Sequence, residues 1–262
     1  MQSLTKNRII VTGGAGFIGT HTVRELIKEG YPVVVIDNFS HSLKKEAPHG
    51  ADFFEVSVQN EQDLTGIIKK GDVILHLASQ KNDEDPFSSY ENTVRGTYSV
   101  FEVARKNKAA GVIFASSSHV YGNRTGRLLE MLTSEPFSLH GVQKAIGEQI
   151  AQSYSDHFNV PAIVLRYFNV YDTEITSEQE HMSVVTRLLK QKNKGEPLTI
   201  YGNGFNIRDF VHVNDVARAN ISAIQLLLQK TTFSCFNICT GRSTSIRELA
   251  DIIGGPVIHE ER

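Results

Sequence analysis

Two side chains that can move protons stand four residues apart in the stretch SLHGVQK, residues 138–144: His140 and Lys144. On a helix this spacing puts both on one face. The stretch alone leaves three readings open: a surface accident, half of a metal site, or a base with its cationic helper. A second group able to do chemistry is VTGGAGFIGTHTVREL, where Gly13, Gly16 and Gly19 recur every third residue. Glycine permits a tight turn and lets backbone N–H groups approach a phosphate at a helix N-terminus. Asp37 closes the next apolar run, 18 residues beyond Gly19. An acid there can accept hydrogen bonds from a ribose, and its charge repels a 2′-phosphate. Loop and acid together predict a dinucleotide site that favours NAD over NADP. A structural turn between strand and helix is the competing reading, because such turns collect glycine in any case.

These groups need elements to hold them. Apolar, β-rich runs at 8–12, 33–37, 52–56, 72–77, 111–115 and 161–168 alternate with amphipathic stretches near 17–29, 61–69, 87–107 and 140–157. Near-continuous apolar strands alternating with helices are what a parallel sheet covered on both faces requires. The pattern predicts a doubly wound, Rossmann-like α/β fold, with the glycine loop between its first strand and first helix. After residue 170 the texture changes. A helix at 182–193, a short strand at 198–201, the Gly/Asn-rich YGNGFNIRD, a helix at 214–229, a strand at 234–238 and a helix near 245–253 predict a smaller, partly interleaved C-terminal lobe. The expected division is 1–170 for the dinucleotide domain, with 203–233 contributing to it, and 171–262 for the lobe.

Composition excludes several classes. The 262 residues are 40% hydrophobic and 21% charged, with a formal net charge of -2. No basic surplus points to nucleic acid or to an anionic membrane. The longest apolar runs, VVVI at 33–36 and VILHLA at 73–78, are too short to span a bilayer. The N-terminus runs straight into a strand without the apolar core of a signal peptide, so a cytoplasmic location is expected. Cys235 and Cys239 lie in the strand-like FSCFNIC. Four residues of strand span roughly 13 Å, beyond disulfide reach, so both are expected to be small core residues in a reducing compartment. The ten histidines show no metal-ligand spacing, and no metal site is expected.

The motifs TGGAGFIG, DNFS, HLASQ, NTVRGT, SSSHVYG, LRYFNVYD and IYGNGFNIRDFVHVNDVA follow one another in this order along almost the whole chain. In that order they resemble the extended short-chain dehydrogenase/reductase family, in its nucleotide-sugar epimerase and dehydratase branch. The nearest likeness is to the UDP-glucose 4-epimerase-like members. The resemblance implies roles. Gly13, Gly16, Phe17, Ile18 and Gly19 would lie against the pyrophosphate of NAD, and Asp37 and Asn38 against its ribose. Leu77, Ala78 and Lys81 would border the cofactor, with Asn92 nearby and Phe168 near the nicotinamide. Asn169 would touch the pyrophosphate of a sugar nucleotide, Thr199 and Tyr201 would flank its base, and Arg208 would neutralise its phosphates. An arginine suits that last task because its fixed fork matches phosphate oxygens. An internal ion pair between Arg208 and Asp209 is the alternative.

In the resembled family a serine or threonine stands three residues before the valine of VYG, which is Ser117 here. The matching helix carries a tyrosine and a lysine four apart. Here the lysine is Lys144, but the tyrosine position is His140. An imidazole, with a reference pKa of about 6.5, is neutral and basic near pH 7 without help. It is also shorter than a phenol. A further departure is Ser57, beside Val58, where the family carries an aspartate facing the adenine. His119 and His212 read as ordinary loop and strand residues.

The resemblance thus implies an NAD-dependent UDP-hexose epimerase that oxidises the sugar transiently at carbon 4, with Ser117, His140 and Lys144 as its catalytic set. A non-catalytic homologue that binds NAD or a nucleotide sugar is the alternative, and a 4,6-dehydratase a more distant one, since Ser118 and His119 replace the Asp-Glu pair of that chemistry. A homodimer is implied through helices 87–107 and 140–157, by way of Val94, Tyr98, Phe101, Ile146, Ile150 and Tyr154. Relative to the family the chain is expected to be short or truncated at its C-terminus.

Overall fold

The computed structural model describes residues 6–40, 48–80, 85–174, 183–229 and 232–261. Seven strands form the main sheet: β1 (Ile9–Thr12), β2 (Val33–Asp37), β3 (Asp52–Glu55), β4 (Val73–His76), β5 (Gly111–Ser117), β6 (Ala162–Tyr167) and β10 (Phe233–Ile238). Their order is β10-β6-β5-β4-β1-β2-β3, and every neighbouring pair is parallel. Side chains alternate between the faces as the pleat requires. Ile9 and Val11 pack towards α1 (Phe17–Lys28) and α7 (Val213–Leu228), against Val23, Leu26, Val216 and Ile224. Ile10 faces the other way, into the cluster that holds Leu64 of α2 (Glu61–Ile67), Phe101 of α4 (Gly96–Asn107) and Ala151 of α5 (Leu139–Phe158). Burial on both faces is the reason the five inner strands read as near-continuous apolar runs. Between α3 (Pro86–Tyr90) and α4 the chain makes a π-helical turn, Glu91–Arg95, which carries Asn92. No described helix is long and apolar enough to cross a membrane.

The smaller lobe pairs β8 (Leu198–Tyr201) with β12 (Val257–Glu260). On that pair pack α6 (Val184–Asn193) and α8 (Ile246–Ile253), around Val185, Leu188, Leu198, Ile200, Leu249 and Ile253. A three-stranded sheet of β7 (Asn169–Tyr171), β9 (Ile207–His212) and β11 (Ser243–Ser245) joins the lobe to the main sheet. The interleaving runs further than residue 233. β10, expected in the lobe, is the edge strand of the main sheet, paired with β6 from Phe233 to Ile238. Cys235 is half-buried on that edge strand, while Cys239, expected in the core, is exposed.

Strand order reverses at β1: β2 and β3 lie on one side, and β4, β5, β6 and β10 on the other. In an open parallel sheet the crevice for a ligand lies beyond the C-terminal strand ends at that point. The ends in question are Thr12 and His76.

Candidate active site

The turn after β1 works only with glycine. Gly13 has φ +69°, and a Cβ there would stand 2.7 Å from the backbone nitrogen of Ala78. A Cβ on Gly19 would stand 2.2 Å from the Gly13 carbonyl oxygen. Helix α1 is thereby pressed onto the loop. Its N-cap is Gly16, no side chain caps it, and its first turn holds no acid. Orphan N–H groups and the positive end of the helix dipole make that turn a cradle for a phosphate. Asp37, only 9% exposed, accepts from the Ala15 N–H at 3.0 Å with one oxygen and from the Phe39 N–H at 2.9 Å with the other. Each carboxylate oxygen keeps a lone pair for a ligand hydroxyl. Loop, helix end and acid fit the pyrophosphate and ribose of a dinucleotide.

A buried hydrogen-bond chain fastens the β1 and β4 ends to α4. The Thr97 hydroxyl donates to the Thr93 carbonyl at 2.5 Å, so its oxygen accepts from His76 Nε2 at 3.1 Å. The other ring nitrogen, Nδ1, accepts from the Thr12 hydroxyl at 2.7 Å, whose oxygen lies 3.3 Å from the Ala78 N–H. His76 is completely buried, and desolvation, aided by the charge of Lys144, pushes its pKa down to about 3. It is a neutral strut in one tautomer.

The proton-handling groups stand on the β5 end and on the first turns of α5. Ser117 is the last residue of β5, and its Oγ lies 3.0 Å from His119 Nδ1. The rings of His119 and His140 meet edge to face, with centroids 5.5 Å apart. Lys144, 4% exposed, donates to the Ala115 carbonyl at 2.7 Å. Burial draws its pKa down to about 7, against the opposing pull of Glu148 one turn further along. Glu148 in turn is held in the fork of Arg166, at 2.9 and 2.7 Å, and accepts the Ser116 hydroxyl. That pair ties α5 to β5 and β6 directly beneath the site.

One cleft brings most of the predicted residues together. The loop residues Gly13, Gly16, Phe17, Ile18 and Gly19 line it with Asp37 and Asn38. Val58, Leu77, Ala78 and Asn92 line its flank, and Ser117, His140, Lys144 and Phe168 its far end. Sequence reasoning missed Gln80, although it lies in the HLASQ motif. Gln80 lines the cleft, and its side-chain oxygen accepts from Asn92 and Ser88. Lys81 lies outside the described residues.

Other predicted residues stand outside that lining. Ser57 lines a shallow groove next to the cleft, with Gln59, Asn60, Glu61 and Arg95. Thr199, Tyr201 and Arg208 stand on β8 and β9, away from the cleft wall. Thr199 is buried and spanned by the Gln191 amide through both its N–H and its hydroxyl. Tyr201 is half-exposed beneath the Arg187 guanidinium, 4.8 Å from its ring. Asn169 begins β7 between two lining residues and donates to the Asp209 carbonyl. Asp209 accepts from Thr240 rather than from Arg208, which donates to the Ile207 carbonyl. His119 is no bystander, given its contacts with Ser117 and His140. His212 approaches Asp172, which also pairs with His21 of α1.

Comparison with known proteins agrees with this fold. The model of the NAD-dependent epimerase/dehydratase family matches residues 9–239. A UDP-glucose 4-epimerase of Dictyostelium discoideum is 33% identical over 276 residues, covering 93% of this chain and 79% of that one. The crystal structure of UDP-glucose 4-epimerase with UDP-glucose from Thermotoga maritima superposes with a TM-score of 0.86 at 30% identity, over 97% of this chain and 85% of that one. UDP-glucuronic acid 4-epimerase from Bacillus cereus, in complex with UDP-glucuronic acid and NAD, gives 0.83 at 30% identity, over 97% and 85%.

Proposed function

Because the chain belongs to the NAD-dependent epimerase/dehydratase family, we propose that it is a cytoplasmic epimerase of a UDP-hexose, acting at sugar carbon 4. The observation that carries this reading is that Ser117, His140 and Lys144 line the same cleft as the glycine loop and Asp37. A nucleotide holder alone has no use for three proton-handling groups beyond the far end of its loop. When bound, NAD supplies a reversible two-electron oxidation of the sugar carbon.

The chain's own residues do the rest. The first turn of α1 binds the pyrophosphate and Asp37 the ribose. Ser117 orients the sugar hydroxyl, and neutral His140, in the place of a tyrosine, takes its proton. Lys144, poised near pH 7 by burial, sets the local charge. The smaller lobe built on β8, β12, α6 and α8 holds the nucleotide, and Asn169, Thr199, Tyr201 and Arg208 are the contact candidates. A homodimer forms through α4 and α5.

His140 favours one second reading, a homologue that binds NAD and nucleotide sugar without turnover. Incubating the NAD-loaded protein with UDP-glucose and following UDP-galactose decides between them. Interconversion supports the epimerase, whereas binding of both ligands without product supports the holder.

A further inference from the structure

His119 is fixed against the cleft from three directions. Ser117 ends β5, and its Oγ accepts the His119 N–H at 3.2 Å, which starts the 3-10 turn Ser118–Tyr121. On α5, a Cβ at Gly141 would stand 2.6 Å from the His119 carbonyl oxygen. Gly122 ends the turn with φ +65°, packed so tightly that a Cβ would stand 2.0 Å from the Glu135 carbonyl. The imidazole is thereby held with Nδ1 3.0 Å from Ser117 Oγ, while the residue as a whole is exposed to water.

A serine hydroxyl has one proton and two lone pairs. Here one lone pair takes the His119 N–H, and with His119 in the tautomer protonated on Nε2 the hydroxyl donates along the short contact to Nδ1. The second lone pair is left for a hydroxyl in the cleft. We propose that Ser117 and His119 form a second proton path beside His140, a relay that carries the proton of the sugar hydroxyl out of the cleft, with His119 as its outer, solvent-facing member. The relay rests on the epimerase reading. It compensates for His140, whose ring is shorter than the phenol it replaces.

The step balances as a proton transfer. The O–H bond of the sugar breaks, and its electron pair becomes the second carbon–oxygen bond as the hydride on that carbon leaves, the two-electron oxidation that NAD would supply when bound. The proton passes to Ser117 Oγ as the serine's own proton passes to His119 Nδ1. His119 becomes an imidazolium whose Nδ1–H now donates back to Ser117. Reversal returns the proton to the product hydroxyl. The groups that bear on its titration are His140 and Lys144 from α5, and Glu135 from the loop packed on Gly122, itself paired with Arg124.

The test combines imidazole ¹⁵N NMR of the NAD-loaded protein with kinetics on UDP-glucose, for the parent, His119→Asn and Ser117→Ala. Near neutral pH, His119 is expected as the tautomer protonated on Nε2, with an Nδ1 signal that moves in Ser117→Ala. In His119→Asn the His140 titration should lose its coupling to His119, whose imidazolium opposes a second charge where both rings protonate. The same variant should lose about 10²-fold in kcat and one ionisation from the pH profile, while NAD affinity stays within about twofold. A His119 Nδ1 signal indifferent to Ser117→Ala overturns the relay, as does a His119→Asn variant with parental kcat and pH profile. If the parent turns over no UDP-hexose, the epimerase reading fails, and the NMR arm alone then decides for or against the relay.

Discussion

The carbonyl oxygen of His119 lies where only glycine at position 141 can face it: a Cβ there would stand 2.6 Å away. This contact seats the first turn of α5 on the 3-10 turn, and so sets the spacing of His140 from Ser117. Ser138 completes the seat by capping the helix through the Gly141 N–H at 3.2 Å.

Gly141→Ala therefore pits helix propensity against a backbone clash. Alanine favours the helix by about 1 kcal/mol, but overpacking costs about 1–3 kcal/mol and displaces α5. The variant should lose roughly 10²-fold in kcat, as small misplacements of reacting groups do. NAD binding should hold, since the loop on α1 is untouched. Steady-state kinetics beside NAD calorimetry check this, and a kcat within twofold of the parent would detach the His140 spacing from Gly141.

His140 itself gives a second expectation. His140→Ala should lower kcat by about 10²- to 10⁴-fold with NAD affinity nearly unchanged. In the parent, activity should fall as pH drops far enough to protonate the imidazole, because only a neutral ring accepts a proton. His140→Tyr should raise turnover by restoring the longer side chain. Parental activity in His140→Ala would remove the residue from the chemistry.

Asp37 separates the two dinucleotides. Its carboxylate holds the Ala15 and Phe39 N–H groups and is nearly buried, so a 2′-phosphate would meet a fixed like charge. Calorimetry should show NAD binding more tightly than NADP. Asp37→Ala should narrow that difference and also lower stability by about 1–3 kcal/mol, since two N–H groups lose their acceptor. Tighter binding of NADP by the parent would refute the assignment.

Of the six strands β1 to β6, five were legible because burial on both faces makes each an apolar run, while β3, an exposed edge strand, showed only through its paired phenylalanines. β7, β9 and β11 were not: they are short, half-exposed and contain Asn169, Arg208 and Asp209, residues that read as loop. β10 misled because its edge position leaves FSCFNI only half-buried. The glycine loop was legible since its spacing reflects backbone contacts that no side chain tolerates. His119 was not, because its role depends on how the 3-10 turn folds back onto α5, which no local spacing encodes. Thr199 shows the converse, a motif position whose polar groups are engaged by Gln191 within its own lobe.

Of the apolar residues expected at a dimer face, Val94, Phe101 and Tyr154 are buried in the protein's own core. What remains on α4 and α5 is a groove lined by Tyr98, Ile146, Ile150 and Phe158, with Tyr98 48% and Phe158 51% exposed. Two such faces related by a two-fold axis would cover each other. Light scattering at micromolar concentration should give twice the chain mass, and Tyr98→Glu should give the monomer. A monomeric parent would count against the pairing.

The strut at His76 predicts how stability responds to acid. Its folded pKa, about 3, lies below the ordinary 6.5 because full burial disfavours the charged ring. Between those values the unfolded chain binds a proton that the native protein does not, so stability rises with pH across the window. The contribution is complete above about pH 6.5 and is lost progressively as pH falls towards 3. From pH 6.5 to 5 a single such group accounts for roughly 2 kcal/mol. His76→Gln gives up the two-sided link between Thr12 and Thr97 and should be less stable at pH 7, by about 1–3 kcal/mol. It should also lack this share of the acid sensitivity, because glutamine does not titrate. Urea unfolding of both proteins at pH 7, 6 and 5 measures the two slopes. Parallel slopes would mean that His76 takes up its proton in the native protein as readily as in the unfolded chain, and the neutral strut would have to be abandoned.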